Sequence, residues 1–406
     1  MIEAINKFLD GSTDGMIALQ TLLTAIPAIS PSSGGEGEDK KARALLGWLK
    51  EQGFSDIKQY DVPDDKVPSG VRPNLVVTIP GRESGSVFWL MSHTDIVPPG
   101  EMKFWETDPF KATVKDGKIY GRGVEDNQQG LTASAFAALG LIRNGITPKR
   151  TVKLLFVADE EVGSDFGIKY LKDHFKLFSS SDLALVPDGG DEKGEQIEIA
   201  EKSLLWLKFT VKGKQCHASR PDQGVNAFEA GSYLVMRLTE LRRIFPDRNP
   251  IFEPDYSTFC PTKQEANVPN INTIPGDDCF YLDCRVLPAV PLKRVLDEIS
   301  SMMKETEKKY GVSVTVETVQ CVESIPTPED SPLVKALSQA VKDVYGANPH
   351  VVGIGGGTVG AFLRNEGVHT AVWSTIEETA HQPNEYCVLK NLVGDAKVMA
   401  RLMLTL

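Results

Sequence analysis

Residues 86–95, with the sequence SVFWLMSHTD, begin as an apolar run and end in polar residues. Three similar apolar runs occur in the first half of the chain, at 74–79 (NLVVTI), 151–158 (TVKLLFVA) and 182–187 (DLALVP). Runs of this length and composition are typical of strands that are buried on both faces. They predict the centre of a β-sheet.

Segments with the apolar spacing of helices alternate with these strands. Residues 39–52 (DKKARALLGWLKEQ) have that spacing and are followed by the stop signal Gly53, and residues 128–143 are typical of a buried helix. The alternation resumes near the C-terminus, with a helix at 331–345 and strands near 350–354 and 369–374. This order predicts an α/β fold, a mainly parallel sheet with helices on both faces.

The middle of the chain has a different pattern. It predicts strands at 203–212, 278–286 and 312–321 and helices at 225–245 and 291–310. These elements suit an inserted α+β domain of the β-α-β-β-α-β type. We therefore expect an α/β domain in two parts, 1–202 and 323–406, interrupted by an α+β domain at 203–322.

Composition narrows the class of protein. The chain has 406 residues, of which 41% are hydrophobic. A chain of this length usually forms more than one hydrophobic core, so we expect two domains or one large domain with an insertion. The net charge, 44 − 55 = −11, disfavours nucleic acid and anionic lipid as partners, because phosphate would repel it. The six cysteines form no C-x-x-C pair, which indicates reduced thiols. The N-terminus lacks the apolar core of a signal peptide, and no apolar run is long enough to span a bilayer. We expect a soluble, cytoplasmic protein that binds neither nucleic acid nor membrane.

Possible metal ligands follow three of the predicted strands. In open α/β sheets, ligands bind at the carboxyl ends of the strands. One strand leads into His93 and Asp95, another into Glu160 and Glu161, and a third into Asp188, while Asp126 precedes the helix at 128.

Each of these residues has a structural alternative. A histidine at a strand end is often a hydrogen-bonded surface residue, Asp126 could be a helix N-cap, and paired acids in a loop are usually solvated. Glu160 and Glu161, however, directly follow an apolar strand, where unpaired carboxylates would be costly. Several such positions together indicate that metal ions neutralise them.

Charge balance is consistent with two divalent ions. Two Zn²⁺ ions carry four positive charges, which the carboxylates of Asp126, Glu161 and Asp188 and a bridging hydroxide would neutralise. Two neutral histidines would complete the set, and imidazole and carboxylate ligands without thiolate suit catalytic zinc. Paired metals lower the pKa of a shared water, and one carboxylate must bridge them. Asp95, two residues after His93, is placed to orient that imidazole.

The sequence resembles the M20 family of metallopeptidases and amide hydrolases over essentially the whole chain. That family includes carboxypeptidase G2, succinyl-diaminopimelate desuccinylase, acetylornithine deacetylase, aminoacylase and several dipeptidases. The resemblance rests on the order and spacing of nine motifs: SHTDIVP (92–98), GRGVEDNQQG (121–130), DEEVGS (159–164), PDGG (187–190), KQCHASRP (214–221), NTIP (272–275), DCR (283–285), GGGT (355–358) and TAHQPNEY (379–386).

The resemblance implies a site with two zinc ions per chain, for which Co²⁺ or Mn²⁺ could substitute. It implies that His93 and Asp188 hold one zinc, that Glu161 and His381 hold the other, and that Asp126 bridges them. It also implies that Glu160 is the general base, which takes a proton from the bridging water and delivers it to the leaving amine. The peptide bond after the bridging aspartate is often cis in relatives, so we expect a cis Asp126–Asn127 bond.

The resemblance further implies that the inserted domain is a lid, often a dimerisation domain, so we expect a homodimer. His217 would stabilise the tetrahedral oxyanion, or could be a cap or loop histidine. Asn272 and Arg285 match positions that contact substrate in relatives, with the arginine on a carboxylate. Arg285 could instead form a structural ion pair with Asp283.

The glycine-rich segment 355–360 (GGGTVG) also fits the dinucleotide fingerprint G-x-G-x-x-G. It lies too near the C-terminus for the remaining repeats of a Rossmann domain. We therefore interpret it as a loop, including Gly357, whose backbone approaches the substrate closely.

The expected reaction is hydrolysis of an amide bond next to a free carboxylate, in an N-acyl amino acid or a small peptide. The length and the NTIP-to-DCR region favour a deacylase or desuccinylase, whereas an aspartate at position 188 favours a dipeptidase or carboxypeptidase. A binding protein that kept the fold without catalysis is a remote alternative, because Glu160 and all five expected ligands are present.

Overall fold

The computed structural model describes residues 1–406 and divides into two compact units. The first unit comprises Met1–Ile199, Thr327–Val352 and Phe362–Leu406, and the second comprises Ala200–Pro326 and Gly353–Ala361. We refer to them as the first and second units.

Seventeen strands and eleven α-helices make up the two units. The strands are β1 (Ile57–Pro63), β2 (Val71–Ile79), β3 (Glu83–His93), β4 (Thr113–Lys115), β5 (Lys118–Tyr120), β6 (Arg150–Val157), β7 (Leu183–Asp191), β8 (Gln196–Glu201), β9 (Ser203–Lys212), β10 (Cys216–His217), β11 (Thr258–Gln264), β12 (Thr273–Ile274), β13 (Asp277–Val286), β14 (Ser313–Val322), β15 (His350–Ile354), β16 (His369–Thr375) and β17 (Tyr386–Val388). The helices are α1 (Ile2–Asp10), α2 (Thr13–Thr24), α3 (Asp39–Glu51), α4 (Gln128–Arg143), α5 (Ile168–His174), α6 (Ala227–Thr239), α7 (Leu241–Ile244), α8 (Leu292–Tyr310), α9 (Pro332–Tyr345), α10 (Gly360–Asn365) and α11 (Leu389–Thr405). No helix combines the length and the apolar character that crossing a membrane requires.

An eight-stranded sheet has the order β1-β2-β6-β3-β7-β16-β8-β15. The four adjacent strands β6, β3, β7 and β16 run parallel. On the flanks, β1 and β2 pair antiparallel, as do β2 and β6, and β8 and β16. The parallel centre contains the apolar runs, and Phe88, Trp89 and Leu90 of β3 are fully buried there. The predicted α/β class, with its parallel centre, is confirmed.

Helix α4 packs directly on the centre of this sheet, against β3, β6 and β7, and also contacts α11. Its first fourteen residues are buried and none of them is charged, and Arg143 comes only at its end. A Cβ atom at Gly130 would clash with the carbonyl oxygen of Pro187, so glycine lets the start of α4 approach β7 closely. The residues just before α4 and those of β7 are thereby brought together.

The second unit contains a four-stranded antiparallel sheet in the order β11-β13-β9-β14, with α6 and α8 packed against it. This is the predicted α+β domain. Strand β11 was not located from sequence, because Pro261 and the register shift between Pro261 and Lys263 weaken its strand pattern. The helix predicted at 225–245 is two helices, α6 and α7.

The segment Gly353–Ala361 belongs to the second unit, although its position in the sequence lies within the predicted last part of the α/β domain, 323–406. Its contacts explain this assignment. Ile354 accepts a hydrogen bond from the Lys202 backbone (2.9 Å), and Gly355 accepts one from Arg285 (3.0 Å). Gly355 and Arg285 lie 70 residues apart in the sequence, so local sequence patterns could not place this segment.

Candidate metal centre

The five residues expected to hold metal lie together in the first unit. Three come from neighbouring parallel strands: His93 closes β3, Glu161 lies in the turn after β6, and Asp188 lies within β7, which continues to Asp191. Between Val372 and Ser374 the register of β16 against β7 shifts, and Asp188 lies at this irregularity. Bulges of this kind turn a side chain away from the regular alternation of the strand.

The ligand atoms form two groups of three, His93 with Asp126 and Asp188, and Asp126 with Glu161 and His381. Within each group all ligand atoms lie within 4.8 Å of one another. Asp126 belongs to both groups. Such a shared carboxylate is the arrangement that two neighbouring metal ions require.

The carboxylate of Asp126 lies between two imidazole rings. Its Oδ1 is 2.9 Å from His93 Nε2, and its Oδ2 is 3.0 Å from His381 Nε2. Nε2 of His381 also lies 3.0 Å from Glu161 Oε2, and Nε2 of His93 lies 3.7 Å from Asp188 Oδ1. Each histidine therefore presents one nitrogen to two carboxylates. The Asp126–Asn127 peptide bond is cis, as predicted.

The carboxylates give this site a strong preference for positive charge. Hydrogen bonds to Asp126 and Glu161 raise the pKa of His381 to about 10, although partial burial opposes them. Burial lowers the pKa of His93, but Asp188 and Asp126 outweigh it and raise that pKa well above its ordinary value. The field that favours a proton on each imidazole would favour a metal cation in the same place.

One buried oxygen of the site lacks any partner. Glu161 Oε1 is buried and makes no hydrogen bond. An unsatisfied buried acceptor costs about 1–3 kcal/mol, and more when it is charged. A metal ion beside Glu161 would supply the missing partner. This orphaned oxygen, the shared carboxylate and the imidazole–carboxylate donor set all fit a pair of divalent ions.

Glu160, the expected general base, precedes Glu161 in the same 3-10 turn. Burial raises its pKa well above the ordinary value, and the negative charges of Asp188 and Asp95 add to the effect against that of His93. A carboxylate with a raised pKa can both accept and release a proton near neutral pH.

Asp95 touches three parts of the site. Its two carboxylate oxygens accept the backbone N–H groups of Glu160 (3.1 Å) and Glu161 (3.0 Å). Its Oδ1 also lies 3.3 Å from His93 Nδ1. Asp95 therefore contacts the imidazole, as expected for an orienting residue, and it also fixes the turn of the two glutamates.

Two further carboxylates hold the segments that carry Asp126 and His381. Glu385 is fully buried and accepts the backbone N–H groups of Gly123 (3.0 Å), Glu125 (3.0 Å) and Asp126 (3.1 Å), as well as Nη1 of Arg122 (2.6 Å). It fixes the segment that leads into Asp126.

Glu125 makes the reciprocal contact. Its carboxylate accepts the backbone N–H groups of Glu377 (2.6 Å), Thr379 (2.6 Å) and Ala380 (3.0 Å) and the hydroxyl of Thr379 (2.8 Å). It fixes the segment that leads into His381. Each of the two ligand-bearing segments is thus held by a carboxylate from the other, and we call Glu125 and Glu385 the reciprocal clamp.

The remaining expected site residues lie in the second unit. His217 of β10 pairs with Thr273 of β12, and Ala218 donates its backbone N–H to the carbonyl oxygen of Asn272 (2.9 Å). His217 and Asn272 therefore share one exposed two-stranded ribbon. Nδ1 of His217 lies 2.8 Å from Ser219 Oγ, so the loop orients the ring.

Arg285 forms an ion pair with Asp283, the predicted structural alternative to substrate contact. Its Nε lies 2.9 Å from Asp283 Oδ1, and its Nη2 lies 3.1 Å from Asp283 Oδ2. Its Nη1 donates to the carbonyl oxygen of Gly355. A Cβ at Gly357 would meet no atom within 4 Å, so the glycine loop presents open backbone. Substrate contact by Arg285 and Gly357 stays a prediction.

The family model described as peptidase family M20/M25/M40 matches residues 89–405. The chain belongs to this family. An uncharacterized metallohydrolase from Methanococcus maripaludis is 41% identical over 411 residues, covering 95% of this chain and 97% of the relative. A succinyl-diaminopimelate desuccinylase from Ruegeria is 28% identical and covers 90% of each chain. The predicted family and the predicted class, a metal-dependent hydrolase of amide or peptide bonds, are confirmed.

Solved structures show the same fold. The aminopeptidase PepT from Bacillus cereus superposes with a TM-score of 0.76 at 18% identity, over 96% of this chain and 98% of that one. A dinuclear metal-binding peptidase of the M20 family from Bacillus subtilis has a TM-score of 0.68 at 17% identity, over 97% and 98%.

Three supporting residues of this M20 chain were not found from sequence. Glu125 and Glu385 lie inside quoted motifs, but nothing in the spacing pairs positions 260 residues apart. The third is Asn127, whose Nδ2 donates to Asp188 Oδ1 (2.6 Å) and to the Pro187 carbonyl oxygen (2.6 Å). A rule that buried acids beside metal ligands hold backbone N–H groups could have marked Glu125 and Glu385 as candidates.

Proposed function

We propose that this chain hydrolyses the amide bond of an N-acyl amino acid or small peptide, using two Zn²⁺ ions and Glu160 as general base. The observation that carries the proposal is the position of Asp126 between His93 and His381, shared by two complete ligand groups. A single structural ion would not need a shared carboxylate or the orphaned oxygen of Glu161.

The ligands divide between the two ions in this proposal. His93 and Asp188 hold one ion, Glu161 and His381 hold the other, and Asp126 serves both. When bound, the ions supply positive charge that polarises the scissile carbonyl and makes a water more acidic. Co²⁺ or Mn²⁺ could take the same places, because imidazole–carboxylate sites accept several metals.

Glu160 moves the proton. It accepts a proton from the attacking water and delivers it to the nitrogen of the leaving amine. The turn that Asp95 holds through two backbone hydrogen bonds supports this role, since a base must keep a fixed position relative to the water.

The second unit supplies the proposed substrate contacts. His217 stabilises the oxyanion of the tetrahedral intermediate, while Asn272, Arg285 and the backbone of Gly357 bind the substrate, whose free carboxylate meets the guanidinium. A carboxylate approaching Arg285 would compete with Asp283 for the same N–H groups. The Ruegeria desuccinylase relative supports an acyl amino acid as substrate. The aspartate at position 188 favours a dipeptidase or carboxypeptidase instead.

We also propose a cytoplasmic homodimer that pairs through the second unit. Helix α6 leaves Phe228 and Met236 exposed, at 45% and 66%, which is surface that a partner could cover. All six cysteines are free thiols, which suits a reducing compartment.

A metal and substrate screen tests the proposal. Purified protein loaded with Zn²⁺, Co²⁺ or Mn²⁺ is assayed on N-acetyl amino acids, N-succinyl amino acids and dipeptides, and its metal content is measured. We expect two ions per chain and turnover in one of these classes. Glu160→Gln should retain both ions and lose turnover by about two orders of magnitude or more, while Asp165→Asn, an exposed acid four residues beyond Glu161, should behave as wild type. Protein with two ions that is inert on every class would support a non-catalytic binder.

A further inference from the structure

The turn that carries Glu160 and Glu161 has a backbone that needs outside support. Asp159, the residue before it, has φ +66, in the left-handed region that residues with side chains rarely adopt. Its carbonyl oxygen accepts a hydrogen bond from the backbone of Ser164 (2.6 Å), which closes the turn. A residue in this conformation persists only where surrounding contacts fix it.

Asp95 fixes the backbone on one side of this turn, and the side chain of Asp159 fixes the other. Asp159 Oδ1 accepts a hydrogen bond from Arg72 Nη2 (3.0 Å). Its Oδ2 accepts the backbone N–H of Phe166 (3.1 Å). The residue next to Glu160 is therefore tied to strand β2 through a charged hydrogen bond.

Arg72 is a buried anchor with many contacts. Its side chain is 1% exposed. Nε and Nη2 both bind the carboxylate of Glu38, and Nη1 lies 3.3 Å from Asp64 Oδ2. The ring of Phe166 lies against the guanidinium, with its centre 5.2 Å from the guanidinium carbon. The paired contact with Glu38 is enough to give the guanidinium one orientation, so Arg72 can fix the position of Asp159.

Stability alone does not account for this cluster. Glu38, Asp64 and Asp159 surround one guanidinium, so the buried acids outnumber it. Taking such charges out of water is costly, and apolar residues of similar volume are often as stabilising or more so. The desolvation cost of this buried ion cluster is explained if the cluster fixes the turn that carries Glu160.

We propose that Asp159, anchored by Arg72, is a positioning residue for Glu160. It sets the turn conformation from which the Glu160 side chain reaches the attacking water. This inference rests on the proposed function, in which Glu160 is the general base. Without the Asp159 carboxylate, Glu160, which directly follows Asp159, leaves its productive position, whereas Glu161 keeps its place through its own contact with His381 (3.0 Å). The turnover number then falls, whereas KM and metal content change little.

Asp64 offers a matched control for a substitution at Asp159. Both carboxylates are buried, both bind Arg72, and only Asp159 adjoins Glu160. Asp159→Asn should lower kcat by about tenfold to a hundredfold, with KM within about threefold and two ions still bound. Asp64→Asn should lower Tm about as much as Asp159→Asn does. Its kcat, however, should stay within about threefold of wild type. Equal losses of kcat in the two variants would overturn the proposal.

A double-mutant cycle with Glu160→Gln separates positioning from a general structural effect. If Asp159 acts through Glu160, then Asp159→Asn should slow the Glu160→Gln enzyme no further. A loss of the same factor in both backgrounds would refute the positioning role. If Asp159→Asn does not fold, Arg72→Lys takes its place in the same comparisons, because lysine lacks the fork that orients Asp159.

The same measurements distinguish this inference from the proposed function. Near-normal turnover by Glu160→Gln would refute Glu160 as base, and the positioning role with it. An inactive Glu160→Gln beside an Asp159→Asn variant with wild-type kcat would leave the base in place and refute only the role of Asp159.

Discussion

Glu125→Gln tests whether the reciprocal clamp holds the His381 segment. Glu125 Oε2 accepts three hydrogen bonds, from the backbone and hydroxyl of Thr379 and the backbone of Ala380, and Oε1 accepts one, from Glu377. Glutamine has a single acceptor oxygen. With that oxygen in the Oε2 position, its amide group would point at the N–H of Glu377.

The magnitude follows from this count. A hydrogen bond to a charged group contributes about 1.5–3 kcal/mol, so loss of the Glu377 bond should cost about 2 kcal/mol. The three remaining bonds also lose the charge of their acceptor. If about 2 kcal/mol appears in metal binding at the ion that His381 holds, its Kd rises about thirtyfold.

Competition with a chelator of known zinc affinity measures this effect at each ion. We expect Glu125→Gln to weaken the ion held by Glu161 and His381, while the ion held by His93 and Asp188 stays within about threefold of wild type. Glu378→Gln, an exposed acid in the same segment, is the control and should bind both ions normally. Equal weakening of both ions, or no weakening, would refute the idea that Glu125 acts through the His381 segment.

Three other outcomes follow from the geometry of the site. Asp126→Ala removes the carboxylate common to both ligand groups, so the affinity for both ions should fall by more than about a hundredfold in equilibrium dialysis; loss of one ion alone would mean that Asp126 does not bridge. Glu385→Gln removes one of the two carboxylate oxygens that accept backbone N–H groups of the segment 123–126. It should therefore lower Tm by several degrees in thermal denaturation, and an unchanged Tm would contradict the structural role of Glu385. In the metal-free protein the pKa of His381 is raised from 6.5 to about 10, so its stabilising effect is complete below pH 6.5 and is lost as the pH rises to about 10. Tm should therefore fall over this range and fall less in His381→Asn, and parallel curves for the two proteins would count against this reasoning.

The strand ends of the site could be predicted because they follow from general properties of parallel sheets. Apolar runs mark the buried strands, and parallel strands bring their carboxyl ends to one edge, so His93, Glu161 and Asp188 could be expected to lie together. The inserted α+β domain was also visible, because its strands and helices have regular apolar spacing.

Other features depend on contacts between distant residues, for which sequence spacing carries no information. The partnership of Glu125 with 377–380, and that of Glu385 with 122–126, arise only when two remote segments fold together. Sequence spacing also could not distinguish the proposed base, Glu160, from the proposed ligand, Glu161. The two residues are adjacent in one turn, and the direction of each side chain depends on the backbone conformation of that turn. Strand β11 was missed because its proline weakens the local pattern while pairing with β13 keeps the strand in place.

Anomalous diffraction at the zinc edge, from crystals of zinc-loaded protein, tests the central claim most directly. We expect two anomalous peaks per chain on either side of the Asp126 carboxylate, one in contact with His93 and Asp188 and the other with Glu161 and His381. A single peak, or two peaks that do not share Asp126, would contradict the two-metal account.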